Sequence, residues 1–427
     1  MRVCLLINLL LLAGLVSAQS SYENVLIEAQ KGFGYPPCEP SICVSPADPS
    51  RVVAGAILDR VYTSADSGKT WTADALRSEY GVFGDPTLIA SPEGHFYYFH
   101  LSDPSGHGWA DPGLLDRIVC QYSSDNGKTW TQGAGMGKNG NKDQDKQWAT
   151  VSPDGKHVYA TWTQFDRYNS KEAGDSTLIL FSCGNAKGAK WKEPVRLSQF
   201  AGNCLDGDMT VEGAVPASGT NGEIYVTWAL GDTLWFDRSL DGGKTWMDQD
   251  RVAGEIIGGW DQHIPGINRC NGMPVTMVDH SDSPNRGSIY VLFADQRAGE
   301  DDTDVFCIHS HDRGESWSEA VRVNDDAPGK HQFFPWLAVD NSTGHLYAVF
   351  YDRRDHDDQA TDVYLATSTD GGVTWINERI SESPFTPVEG VFFGDYNNIS
   401  AVNGVVRPIW TRYEKGRLSI WTALINK

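Results

Sequence analysis

Acidic and arginine side chains gather at the two kinds of position where extended segments of this chain begin and end. Ahead of apolar runs stand Glu39, Asp85, Asp145 with Lys146, Glu212, Phe334 with Trp336, and Asp395 with Tyr396. Behind aromatic and β-branched runs stand Asp59 with Arg60, His100, Asp166 with Arg167, Asp295 with Arg297, Asp352 with Arg353 and Arg354, and Arg412. Arginine forks suit carboxylate or sulfate groups. Paired carboxyls suit proton transfer at a glycosidic bond, and a tyrosine beside a carboxylate can serve as the nucleophile there. Each Asp-Arg pair can equally be a salt bridge that repeats for structural reasons. Arg354 and Arg412 depart from the common Asp-Arg spacing, which favours a binding role for them.

The elements that must position these groups follow from a repeat. The pattern Ser-x-Asp-x-Gly-x-(Thr/Ser)-Trp occurs at Ser64 to Trp71, Ser123 to Trp130, Ser239 to Trp246, Ser310 to Trp317 and Ser368 to Trp375. A worn copy keeps Ser182, Gly184 and Trp191 but lacks the Asp. From Ser64 through Ser123, Ser182, Ser239 and Ser310 to Ser368, the intervals are 59, 59, 57, 71 and 58 residues. A period of that size marks an array of like units. In each box, Ser and Asp suit the backbone N–H groups of a tight turn, Gly suits a positive φ, and Trp supplies a large apolar face. The boxes are therefore structural.

Each unit reads as an apolar strand, a Pro/Asp/Gly turn, an aromatic strand such as His157 to Trp162, a variable loop, a third strand, the box and a fourth strand. Four short antiparallel strands describe a propeller blade. First strands are expected near Pro40, Pro86, Lys146, Glu212, Asn271, Pro335 and Asp395, giving seven blades. The last unit stops before its fourth strand, and Asn24 to Glu28 is a spare strand able to complete it and close the ring. A right-handed β-solenoid is the minor alternative. With the box turn joining strands three and four, the opposite face collects first-strand starts and second-strand ends at the axis.

The five boxes resemble the Asp-boxes, or bacterial neuraminidase repeats, of sialidases and their relatives, and the likeness runs from about Pro40 to the end. Sialidases place three arginines on a substrate carboxylate, an Asp as acid/base, and a Tyr-Glu nucleophile pair. By blade position and order, the resemblance implies Arg60, Arg297 and Arg353 as carboxylate ligands and Asp85, Glu212 and Tyr396 as catalytic groups. Arg354, Arg412 and Trp336 complete the substrate-binding candidates. Two features depart from the family: Glu39-Pro40-Ser41 replaces its Arg-Ile-Pro signature, and seven blades exceed its usual six, so six remains the alternative count. The expectation is a sialidase-like hydrolase of an acidic sugar. A non-catalytic carbohydrate- or protein-binding propeller, and a polysaccharide lyase using His263 or His331 as base, are the other readings.

Residues 1–18 read as a secretory signal peptide, leaving 19–427 as one propeller domain in a secreted or periplasmic protein. The net charge of −21 argues against nucleic acid or anionic membrane as a partner. No other segment is long and apolar enough for membrane insertion. No cofactor is implied; the acidic runs Glu300 to Asp304 and Asp355 to Asp358 could ligate structural Ca²⁺, or stay solvated. Cys38 and Cys43 are close enough to bridge, but isolated buried thiols are expected. Asn341 and Asn398 each head a glycosylation pattern.

Overall fold

A computed structural model describes residues 22–31 and 35–427; the leader assigned to residues 1–18 lies outside the described residues. Seven antiparallel sheets of four principal strands surround one axis. The innermost strands are Ser41–Val44, Thr87–Ala90, Asp143–Val151, Glu212–Ser218, Val275–Val278, Gln332–Val339 and Asn398–Val402, numbered here as blades one to seven. The expected starts are met within a few residues, and the seven-blade count holds. The sole helical element among the described residues is the 3-10 turn Gly108–Ala110. None of the described helices is long and apolar enough to cross a membrane.

Ring closure uses the spare strand. Asn24–Ala29 pairs antiparallel with Arg417–Ala423, placing Asn24 opposite Ala423 and Ala29 opposite Ser419. It thus becomes the outer strand of blade seven. Arg407 adds a second link, donating from Nε to Ser67 O in blade one at 2.6 Å and from Nη1 to Ile425 O at 2.6 Å. A closed ring leaves no blade without a neighbour.

The boxes work as their composition demands. In the first, Ser64 Oγ accepts from Gly68 N at 2.8 Å, Asp66 accepts from Thr70 N at 2.9 Å and Thr70 Oγ1 at 2.6 Å, and Trp71 Nε1 donates to Gly68 O at 2.9 Å. The worn copy survives by substitution. Asn185 Oδ1 accepts from Ala189 N at 2.9 Å, and Trp191 Nε1 donates to Gly188 O at 2.8 Å. Gly188, not Gly184, is therefore its box glycine.

Box tryptophans seal the seams between blades. Trp246 of blade four meets Phe181 of blade three at 4.8 Å, and Trp317 of blade five meets Phe236 of blade four at 5.2 Å. Gly243 lies at the first of these seams with φ +81°, where a Cβ would sit 2.6 Å from Phe181. Gly is needed there for both conformation and clearance. The cysteines of residues 35–427 are free thiols, including Cys38 and Cys43. Asn398 is buried, its Oδ1 accepting from Ile42 N at 3.2 Å, whereas Asn341 is exposed; only the latter is open to modification in the folded chain.

Candidate functional site

The inner strands begin in an unusual backbone state. Glu39, Asp85, Lys146 and Phe334 have φ of 52°, 48°, 53° and 50°, and Gly213 occupies the same place in blade four with φ 76°. Left-handed geometry costs a non-glycine residue about 1–3 kcal/mol, and such strain concentrates at functional sites. Bulges follow in several blades, between Asp145 and Trp148, Glu212 and Val215, and Phe333 and Trp336. A bulge re-aims the side chains of a strand start. Glu39, Asp85 and Lys146 thereby line one axial pocket of about 280 Å³, on the face opposite the boxes.

Two cations organise its floor. Lys146 Nζ lies 3.0 Å from Asp395 Oδ2, 3.6 Å from Asp85 Oδ2 and 3.9 Å from Asp145 Oδ2. Arg269 grips Asp395 with a fork, Nε to Oδ1 at 2.9 Å and Nη2 to Oδ2, and donates from Nη1 to Asp206 Oδ2 at 2.6 Å. Tyr168 OH donates to the same Asp206 oxygen at 2.5 Å and accepts from Arg269 Nη1 at 3.2 Å. Burial opposes the charge on Asp395, but Arg269 and Lys146 outweigh it and hold the carboxyl well below the usual range. The same balance lowers Asp206.

Other carboxyls are pushed the opposite way. Burial, then the charges of Asp85 and Asp395, drives Glu39 well above the carboxylate range. Burial also raises Asp145, with Lys146 countering part of the effect. No protein hydrogen bond to the Glu39 carboxyl forms among the described residues, although the residue is only 2% exposed and lines the pocket. Gly394 makes that close packing feasible, since a Cβ there would lie 2.8 Å from both Glu39 N and Cγ. The site thus sets a neutral acid beside a carboxylate held by an ammonium group, the arrangement that acid/base chemistry requires. Tyr35, Trp109 and Phe392 are exposed apolar side chains at its mouth.

The sequence-derived candidates divide sharply. Asp85 lines the pocket, its Oδ2 buried without a hydrogen bond. Tyr396 lies fully enclosed by Trp148 at 5.0 Å and Trp336 at 6.2 Å, its hydroxyl 3.5 Å from Pro86 O; burial, Glu39 and Asp85 raise it. Glu212 is wholly buried with both carboxyl oxygens unpartnered, and burial followed by Asp206 raises it. Tyr396 and Glu212 form no hydrogen-bonded pair. Trp336 packs on Trp148 at 4.3 Å with a 46° tilt and lines the channel on the box side, about 490 Å³ in volume, not the axial pocket.

The expected arginine cluster is not assembled. Arg297 forks onto Asp295 of its own blade, with Nε at 2.9 Å, and covers Phe306 at 4.0 Å. Arg354 repeats this one blade on, with Nε 2.8 Å from Asp352 Oδ2 and its guanidinium 4.2 Å from Tyr364. Its offset from Asp352 equals that of Arg297 from Asp295, so both are structural braces. Arg412 bonds Ser383 Oγ at 2.7 Å, and Arg60 donates to Tyr35 O at 2.8 Å and pairs with Glu28 at 3.4 Å. Arg353 is buried over Phe333, its Nε bonded to Thr361 Oγ1 at 3.1 Å; burial lowers it to about 10. None of the five lines the axial pocket.

Neither histidine reaches it either. His331 is buried against Thr303 Oγ1 at 3.1 Å and pushed down to about 4 by burial and Arg353, while His263 is exposed. The acidic runs bond neighbouring segments: Asp302 accepts from Gly329 N at 2.7 Å, and Asp355 accepts from Tyr364 OH at 2.7 Å. No group of three or more metal-ligating side chains forms among the described residues. Sequence reasoning missed Arg269, Tyr168 and Asp206. One signal was present: the long 71-residue interval between Ser239 and Ser310 contains the connection that delivers Arg269.

Residues 121–132 match the BNR/Asp-box repeat model, spanning the second box. The chain is a seven-bladed β-propeller that carries this repeat. A polysaccharide lyase described as a PL25 ulvan lyase superposes with a TM-score of 0.57 at 13% identity, over 95% of this chain and 96% of that one. It is also seen bound to -[GlcA(1-4)Rha3S]-. The NanB sialidase of Streptococcus pneumoniae gives a TM-score of 0.50 at 9% identity, over 88% and 83% of the two chains. A protein of unknown function from Dyadobacter fermentans gives 0.50 at 12%, over 96% and 98%. At these identities the likeness is one of fold.

Proposed function

We propose that this Asp-box propeller is an exported glycan-processing enzyme that cleaves a glycosidic bond in the axial pocket, with Glu39 as proton donor and Asp85 as the partner carboxylate. The observation that carries the reading is the Glu39 carboxyl, free of protein hydrogen bonds among the described residues, lining the same pocket as Asp85, which lies 3.6 Å from Lys146 Nζ. Glu39 would protonate the leaving oxygen; Asp85 would act on the opposite side as nucleophile or as base toward water. Lys146 and Arg269 keep Asp395 and Asp206 charged, and the carboxylates, which outnumber the cations, favour the positive charge that develops on the sugar ring. With Glu39, Asp145 and Glu212 pushed toward the neutral form, the carboxylates Asp85, Asp206 and Asp395 face the two cations.

That balance bears on the substrate. A sugar carboxylate at the cleavage point would meet surplus negative charge and no free arginine, so the pocket suits a neutral sugar ring resting on the aromatic mouth. The finer sialidase reading loses its principal support with Arg60, Arg297 and Arg353 engaged elsewhere. Solved neighbours of this fold include glycan-cleaving enzymes, which agrees with the general class.

The test is reducing-end release from a panel of neutral and acidic glycans by the wild-type protein, Glu39→Gln and Asp85→Asn. Hydrolysis by wild type, lost in both folded variants, is expected. Glycan binding without turnover, unchanged in both variants, would sink the enzyme reading in favour of a binding propeller. A product with near-ultraviolet absorbance would replace hydrolysis by elimination.

A further inference from the structure

The axial pocket has a neighbour. Beyond Trp109 a second depression of about 640 Å³ lies between the loops of blades two and three, with Asn141, Asp143 and Arg167 on its far side. Trp109, Leu115 and Tyr168 line both spaces, so the two adjoin. The indole is the shared wall.

Trp109 is 64% exposed, a costly state for so large an apolar ring, yet it is firmly seated. It meets the Phe83 ring edge-on at 5.8 Å and the Tyr168 ring at 5.6 Å with a 34° tilt. Its turn is fixed from below, where Asp103 accepts from Gly106 N at 3.1 Å and Gly108 N at 3.0 Å. A pre-ordered aromatic face loses little entropy when a flat apolar surface stacks on it.

Arg167 stands across the depression. Three neighbouring loop cations are engaged, Arg117 and Lys138 with Asp116, at 2.7 and 2.9 Å, and Lys142 with Asp166 at 2.5 Å. Arg167 is exposed, and its guanidinium has no hydrogen bond or ion pair among the described residues. Asp143 feels the charge of Arg167, but burial raises it on balance and its Oδ2 already accepts from Tyr168 N at 2.7 Å. The free fork therefore keeps its charge and its donors for something else.

We propose that this outer depression is the binding subsite for the next sugar of the glycan chain, stacked on Trp109, and that Arg167 selects a sugar bearing a sulfate or carboxylate. The proposal rests on the axial pocket being a glycan site and adds to it a substrate class: a chain with a neutral sugar at the cleavage point and an acidic sugar beside it. A guanidinium fork fits either oxyanion.

Affinity is the readout, measured by calorimetry on full-length protein with oligosaccharides of matched length that are sulfated, uronic or neutral. Arg167→Gln should weaken the preferred acidic oligosaccharide about tenfold, the loss of one charge-assisted contact, and remove its salt dependence. It should leave the neutral one unchanged. Trp109→Ala should weaken all chains of two or more sugars about tenfold while sparing a single sugar. A stronger loss for sulfated or for uronic chains identifies which oxyanion is recognised. If wild type cleaves glycans but Arg167→Gln keeps full affinity and salt dependence, the acidic selection is overturned while the axial assignment stands. If a protein that cleaves nothing loses acidic-glycan affinity in both variants, the subsite stands and the hydrolase reading fails.

Discussion

The two faces of the ring use repetition in opposite ways. On the box face, five copies make the same two bonds, Gly N to Ser and Thr or Ser to Asp, and Trp71, Trp130 and Trp375 add Trp to Gly O, so that the first box and the second are nearly superimposable in distances. On the other face the backbone still repeats, with left-handed residues at the start of five inner strands, but the side chains diverge into Glu39, Asp85, Lys146, Phe334 and Gly213. Sameness stabilises seams; difference at equivalent positions builds an asymmetric pocket. The braces Arg297 and Arg354 belong with the first class although they lie near the second face.

The sharpest way to separate the faces is catalysis. Glu39→Gln should lower kcat/KM by about a thousandfold with an unchanged melting temperature. The wild-type rate should be retained at acid pH and lost as pH rises through the raised Glu39 pKa, because the proton donor is then spent. A rate that climbs across that range would remove Glu39 from the role.

Breaking a box should do the reverse. Trp130 stacks edge-on to Tyr98 at 5.8 Å and donates to Gly127 O at 3.0 Å. Trp130→Ala should cost about 3 kcal/mol in chemical denaturation while the folded fraction keeps its turnover. Loss of turnover without loss of stability would contradict the division of labour.

Asp237 offers a titratable probe of the structural class. Burial raises it to about 7, even though it accepts from Arg238 N at 2.6 Å and Met247 N at 3.1 Å. A raised carboxyl makes the native state bind more protons than the unfolded one, so stability is highest in acid and declines as pH climbs toward about 7. Asp237→Asn should be more stable than wild type by about 2 kcal/mol near pH 8, allowing for partial screening, with the gap closing near pH 4. A gap independent of pH would refute the assignment.

The smallest expected effect concerns Arg297. Arg297→Gln should cost about 1 kcal/mol, since it removes the fork from the buried Asp295 while its own head is partly solvated, and should leave KM unchanged. A raised KM would return Arg297 to the substrate.

What could be read in the sequence was what local bonding enforces. A box closes within eight residues, so its Ser, Asp, Gly and Trp encode the turn directly, and five turns at a near-constant period imply the blades, the ring and the closing strand Asn24–Ala29. The backbone direction at Asp85 was legible for the same reason. The arginines were not, because a guanidinium chooses between a substrate and an Asp two residues away only in three dimensions, and Asp295 and Asp352 won that contest. Arg269 illustrates the converse: no motif marks it, yet a non-repeating connection carries it across the axis to Asp395, 126 residues later. Sequence alone determined the repeating frame, since its bonds are short-range; tertiary structure decided the pocket, since its charges meet only when separate blades converge on one axis.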